Sequence, residues 1–171
     1  GATLALTYAQ AHPQRVKALV LRGIFTARQS EVDWLYGDGA RHLFPDAYAA
    51  FANFIPEDER HDLVRAYHQR LTCGDEDIEL AAAAQWCAYE AKLLTLIPRI
   101  NPASSAPAFA SPSTRALARI EAHYFVHHSF MEEGQILARM GTIAHIPGVI
   151  VQGRYDAVTP PITAWQVHQA W

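Results

Sequence analysis

Apolar positions along the chain change their period twice. Residues 2–11, ATLALTYAQA, place Leu4, Tyr8 and Ala11 on one helical face. Small and apolar residues occupy most other sides too, which predicts a well-buried helix. His12-Pro13 ends it, because the residue before a proline is pushed out of the α region. Val16 to Phe25 then reads as a near-continuous apolar strand, of the kind found in parallel sheets covered on both faces. From about residue 28 to residue 97 the spacing is helical. Trp34, Leu35 and Tyr36 lie in one stretch, and Pro45 sits near the start of DAYAAFANFI. Pro56-Glu57-Asp58-Glu59 predicts another helix start, continued from Asp62 to Leu71, and Asp75 to Ile97 an alanine-rich helix broken by Pro98. Residues 101–113, NPASSAPAFASPS, read as a loop. Helical spacing returns from Thr114 to His128, with Leu117, Ile120, Tyr124 and Phe125 as its apolar positions, and again from Glu132 to Ala144. After the turn Ile146-Pro147-Gly148, Val149 to Gly153 is a second apolar strand ending at Arg154-Tyr155-Asp156. Pro160-Pro161 opens a last helix, ITAWQVHQAW.

Strands at both ends with only helical spacing between them predict an α/β layer made of residues 1–27 and 141–171, interrupted by a helical insertion over residues 28–140. Two parallel strands alone leave both edges and much of both faces open. Further strands N-terminal to these residues are therefore expected. A first residue that is Gly rather than Met fits a processed or trimmed chain.

Composition narrows the class. Of 171 residues half are apolar and 18% charged, with a formal net charge of −3, which is globular and carries no nucleic-acid footprint. No apolar run is long enough to cross a membrane. The start lacks a basic region and a cleavage motif, so it does not read as a signal peptide. Cys73 and Cys87 form no CxxC pair and read as free, inert thiols in a reducing, cytoplasmic compartment.

Taken singly, the candidate residues have plain readings. Asp156, at a strand end before two prolines, suits a helix cap. Glu90 and Glu121 each sit on otherwise apolar helical stretches, where a lone glutamate is usually solvated. His123 and His127 are four apart and share a helical face, but no third ligand has metal-site spacing, so no metal is expected. Trp34 and Tyr36 read as packing residues.

Three segments change this picture: GATLALTYAQAHPQRVKALVLRGIF, WCAYEAKLLTL, and ARIEAHYFV followed by HIPGVIVQGRYDAVTPP. Together they resemble the proline iminopeptidases, serine hydrolases that remove N-terminal proline from peptides, and the similarity runs over nearly all 171 residues. LRGIF, ARIE-x-HYF and IPGVIV-x-GRYD carry the family; GRYD alone indicates only an α/β-hydrolase. The resemblance implies a partial α/β-hydrolase fold with a helical cap. It implies Asp156 as the acid of a Ser-His-Asp triad, in the chain order of that fold. Gly1 would be the last glycine of a G-x-S-x-G turn, with the serine two residues before it and the histidine beyond Trp171. These residues by themselves are then expected not to hydrolyse a proline arylamide.

The same resemblance makes Glu90 and Glu121 an acidic pair gripping the substrate's free N-terminus. An N-terminal proline is a secondary ammonium with two N–H donors, and two carboxylates can each accept one. Arg22 would position substrate and balance the two acids, and Phe25 would line the apolar pocket for the pyrrolidine ring. The sequence departs from the family at Leu35, where a pocket aromatic is expected, and at Thr159, often a cysteine. No cofactor is implied, and the implied partners are peptides with N-terminal proline. Two alternatives stay open: another α/β-hydrolase such as an esterase or epoxide hydrolase, and a chain with no activity of its own.

Overall fold

A computed structural model describes residues 1–95 and 111–171. The chain divides into two compact units, one made of Gly1–Glu31 with Met131–Trp171, the other of Val32–Phe130. The 101–110 part of the expected loop and the expected helix end at Ile97-Pro98 lie outside the described residues. No described helix is long and apolar enough to cross a membrane.

In the first unit, α1 (Ala2–Ala11) stops before Pro13 and leads into β1 (Leu19–Arg22). β1 pairs in parallel with β2 (Gly148–Val151), Leu19 opposite Gly148 and Arg22 opposite Val151. This two-stranded parallel sheet in an otherwise helical chain is what the described residues contain of an α/β layer. Gly23 follows β1 at φ +60°, a conformation that costs glycine least, and its N–H still reaches Val151 O at 3.2 Å. Gly148 serves differently: a side chain there would run into the Trp171 ring, whose Nε1 donates to Ile146 O at 3.1 Å.

Leu6, Ala9, Leu21, Ile24, Ile143 and Val167 lie in the core of this unit. Val167 comes from α8 (Pro161–Ala170), and Ile136 from the short α7 (Gln135–Ala138). The helix expected over Glu132 to Ala144 is thus two pieces, α7 and a 3-10 turn over Met140–Ile143.

Two expectations need correction here. The buried face of α1 is Ala2, Leu6 and Ala9, while Leu4 is 69% exposed and Tyr8 is also exposed. Small residues at 2 and 9 let the helix backbone approach its neighbours, and that side faces inward. Among the described residues the strands are covered on one face. Leu21 is buried and Leu19 and Ile150 half-buried, whereas Val20, Val149 and Val151 are exposed.

The second unit contains no strand among its described residues. It begins within α2 (Gln29–Tyr36) and continues through α3 (Pro45–Asn53), α4 (Leu63–Leu71), α5 (Glu76–Leu93) and α6 (Pro112–Val126). Pro45 and Pro112 stand in first turns, where their missing N–H costs nothing. The helix expected from Pro56 to Leu71 is a 3-10 run over Glu57–Asp62 followed by α4. Asp62 restarts it by accepting the Arg65 N–H at 3.0 Å. Leu117, Ile120, Tyr124 and Phe125 are the large apolar residues of α6. The buried positions are Ala118 and Ala122, with Leu117, Ile120 and Tyr124 exposed. The core is aromatic: Phe51 stacks on Tyr67 at 4.3 Å and on Tyr89 at 4.6 Å, and Trp86 is fully buried.

These burial patterns give opposite expectations for two leucines two residues apart, on opposite sides of α1. Leu6→Ala should cost about 2–5 kcal/mol in urea unfolding, as for other buried leucines. Leu4→Ala should cost less than about 1 kcal/mol. Equal losses would mean that the inward face of α1 is misassigned.

Candidate functional site

Glu90 lies near the end of α5 and Glu121 near the end of α6, two helices packed on each other. Ala118 and Ala122, on either side of Glu121 in sequence, are the fully buried residues of α6. The two carboxyls are neighbours, close enough to act on each other's charge. Each has a further donor. The Tyr36 hydroxyl donates to Glu90 Oε1 at 2.5 Å, and the Trp86 indole N–H donates to Glu121 Oε2 at 3.1 Å. Tyr36 and Trp86 are themselves packed at a 4.5 Å ring separation, and Phe125 lies 5.6 Å from Tyr36.

Electrostatics follow from this enclosure. Burial, then the neighbouring Glu121, pushes the Glu90 carboxyl up to about 8, against the hydrogen bonds from Tyr36 and Trp86, which favour its ionised form. Glu121 is raised by the same burial. The field of the pair reaches its surroundings. Tyr36 is held well above its ordinary value by burial and by both acids, and the Cys87 thiol is pushed to about 11 by burial, Glu90 and Glu121. Cys73 and Cys87 are both free, the first exposed and the second buried.

Asp156 belongs to the first unit and is enclosed by donors. Its Oδ1 accepts the N–H groups of Val158 at 3.1 Å and Thr159 at 2.8 Å. Its Oδ2 accepts the Thr159 hydroxyl at 3.0 Å and the Gln152 amide at 3.1 Å. The carboxylate therefore shapes the turn after β2 and does not cap α8, whose N-cap is Pro160. Gln152 also bonds Thr159 O at 2.7 Å and accepts the Ile24 N–H at 2.8 Å, so one amide side chain joins the ends of both strands to Asp156.

Arg22 stands exposed at the end of β1, and Phe25 follows half-buried, with the Thr3 hydroxyl on its carbonyl at 2.7 Å. Of the predicted site residues, then, the structure brings Glu90 and Glu121 together in one unit, and Arg22, Phe25 and Asp156 belong to the other. A cavity of 940 Å³ in the first unit is lined by Gly148, Ile150, Gln152, Ile162, Trp165 and His168 among others, and by none of the predicted site residues. His123 and His127 do share a face of α6, their rings 4.6 Å apart, and His68 of α4 joins them at 5.8 and 6.3 Å. Burial and these two histidines lower the His68 pKa, with Arg65 and Arg119 adding to the effect. No group of three or more His, Cys, Asp or Glu among the described residues is placed to hold a metal ion.

Sequence reasoning missed the partners of the acids. Tyr36 and Glu90 are 54 residues apart, Trp86 and Glu121 35 apart, and no spacing rule links them. Tyr36 was read as packing, which it does; its hydroxyl also holds Glu90.

Comparison with known proteins supplies the context. No protein-family model matches the chain. It is 49% identical over 174 residues to the proline iminopeptidase of Xylella fastidiosa strain 9a5c, 45% identical over 173 residues to that of Arabidopsis thaliana, and 43% identical over 173 residues to that of Neisseria gonorrhoeae. All of this chain takes part in each match, whereas 54%, 45% and 54% of the respective relatives is covered. The chain thus resembles the proline iminopeptidases along its whole length and spans about half the length of the relatives it matches.

The raised carboxyls have a consequence for stability. A group whose folded pKa lies above its unfolded value contributes stability below the unfolded value and loses it as pH rises through the folded one. Here that window runs from the ordinary glutamate value to about 8. The urea midpoint should fall between about pH 5 and about pH 9 and fall less steeply in Glu121→Gln, where the like-charge neighbour is gone. Identical slopes in parent and variant would contradict this.

Proposed function

We propose that this chain, similar over its full length to proline iminopeptidases, is part of a serine-type aminopeptidase that releases N-terminal proline from peptides. The observation that carries the reading is the meeting of the Glu90 and Glu121 carboxyls. A cationic secondary amine with two N–H donors matches two acceptors held side by side. Anchoring that amine fixes a distance: the first peptide bond, about one residue away, is the one presented to a nucleophile. That makes an exopeptidase.

In this reading the first unit is part of an α/β-hydrolase core and residues 28–140 form its helical cap. Asp156 is the triad acid, orienting a histidine and stabilising its imidazolium. Its turn, braced by Gln152 and Thr159, would hold that carboxylate still. Serine and histidine are assigned to parts of the family's length that the match does not cover. Serine attacks the prolyl carbonyl, and histidine takes its proton and passes it to the leaving amine. Water then hydrolyses the prolyl-enzyme. Arg22 positions substrate and balances the acids, and Phe25 lines the proline pocket. A cytoplasmic setting is part of the proposal, supported by two unpaired cysteines. An esterase or epoxide hydrolase acts on a neutral group, for which a buried pair of acids has no use.

The test is made in the active enzyme carrying these residues. Proline p-nitroanilide should be hydrolysed and its N-acetyl derivative poorly so. Glu90→Gln and Glu121→Gln should each lower kcat/KM for the free amine by about 30-fold or more, the loss expected when one partner of a buried charged contact is removed. Near-parent rates in both variants, or equal cleavage of the acetylated compound, would reject the amine clamp.

A further inference from the structure

Ionised carboxylates accept hydrogen bonds and cannot donate them. Tyr36 and Trp86, their rings 4.5 Å apart, hold Glu90 and Glu121 in one enclosure, and a hydrogen bond between two carboxyls there requires a proton on one of them. The Tyr36 hydroxyl donates to Glu90 Oε1 and the Trp86 indole to Glu121 Oε2. Those two bonds leave a second oxygen on each carboxyl, and it is there that a shared proton, or two N–H groups of an amine, can be accepted.

We propose that Glu90 and Glu121 share a single proton in the unliganded site, that the cationic amine of a substrate displaces it to solvent, and that Tyr36 and Trp86 are the positioning residues of this exchange. The exchange rests on the amine-clamp reading above; the shared proton and the roles of Tyr36 and Trp86 do not. No covalent bond changes. The free pair carries one negative charge and one proton. The bound pair carries two charges, each accepting one N–H of the ammonium, and the proton goes to water or buffer.

The surroundings set the direction of the coupling. From α2 the pair meets Tyr36, and from α5 it meets Trp86, Cys87 and Tyr89. Phe51 and Phe125 complete the ring cluster around Tyr36. Every titratable group in that set is neutral or negative, so nothing in it pays for a second charge on the pair. An incoming cation does. Tyr36 and Trp86 act through the acids: by donating to the ionised forms they hold the titration down against burial, within reach of neutral pH.

The exchange is read in ¹⁵N-labelled protein from the Trp86 indole N–H resonance, assigned by its loss in Trp86→Phe, as pH is raised. The resonance should titrate with a midpoint near 8. Tyr36→Phe keeps the packed ring and removes one hydroxyl; it should move the midpoint up by about one pH unit. The indole signals of Trp34, Trp165 and Trp171 report whether the variant is folded. Saturating L-prolinamide should move the midpoint down, and N-acetyl-prolinamide should not. Calorimetry of L-prolinamide in two buffers of different protonation enthalpy counts the proton without any variant, and close to one per amine should be released at about pH 7. A parent midpoint below about pH 6 overturns the shared proton. An unchanged midpoint in Tyr36→Phe overturns the positioning role of Tyr36. Prolinamide that leaves a midpoint near 8 in place overturns the exchange together with the amine clamp, while the shared proton stands.

Discussion

Two carboxyl groups side by side among aromatic rings resist a second charge, because burial and mutual repulsion both oppose it. Much of the second unit is arranged around that constraint. α6 packs on α5, and Glu121 comes beside Glu90 there. Tyr36, at the end of α2, and Trp86, one turn before Glu90 on α5, supply the donors. Phe51, Tyr67 and Tyr89 fix the rings from behind, Tyr67 through its hydroxyl on Phe51 O at 2.8 Å and Tyr89 through its own on Leu35 O at 2.6 Å. The polar tips of these aromatics are each hydrogen-bonded. The cluster is thus an apolar body with its few polar atoms committed, and the acids hold the charge that remains.

Asp156 is held by a different logic. Its four donors come from a turn of a few residues and one strand-end amide, all local to the first unit. Backbone N–H groups and a threonine hydroxyl cannot swing away as a long cation can, so the carboxylate's place is set by the path of the chain. The pair of acids depends on packing between helices distant in sequence; Asp156 depends on a loop.

What could be read from the sequence follows from the range of the interactions. Pro13, Pro45 and Pro161 act within their own turn, and the helices stop or start beside them as expected. The short strands and their parallel order follow from the apolar runs at 19–22 and 148–151. Periodicity marks the large apolar residues of α1 and α6 but does not say which side of each helix faces inward. Here alanines face inward, where backbones approach, and Leu4, Leu117 and Ile120 lie outside. Asp62, acting as a cap, split a helix that periodicity ran together. Glu90 and Glu121 could be picked out only through the family resemblance. Their donors, far off in sequence, left no local mark, since a buried tyrosine or tryptophan is unremarkable until its polar atom is followed.

The alanine face of α6 also separates two kinds of change. Glu121 lies between Ala118 and Ala122, the fully buried positions of the helix. Leu117, Ile120 and Tyr124 are exposed to solvent. Substitutions can accumulate on that outer surface without disturbing the acid. One added methyl group at Ala118 or Ala122 would lift the whole helix, and Glu121 with it. The inner face leaves almost no room for neutral drift, although its residues are the chemically plainest on the helix.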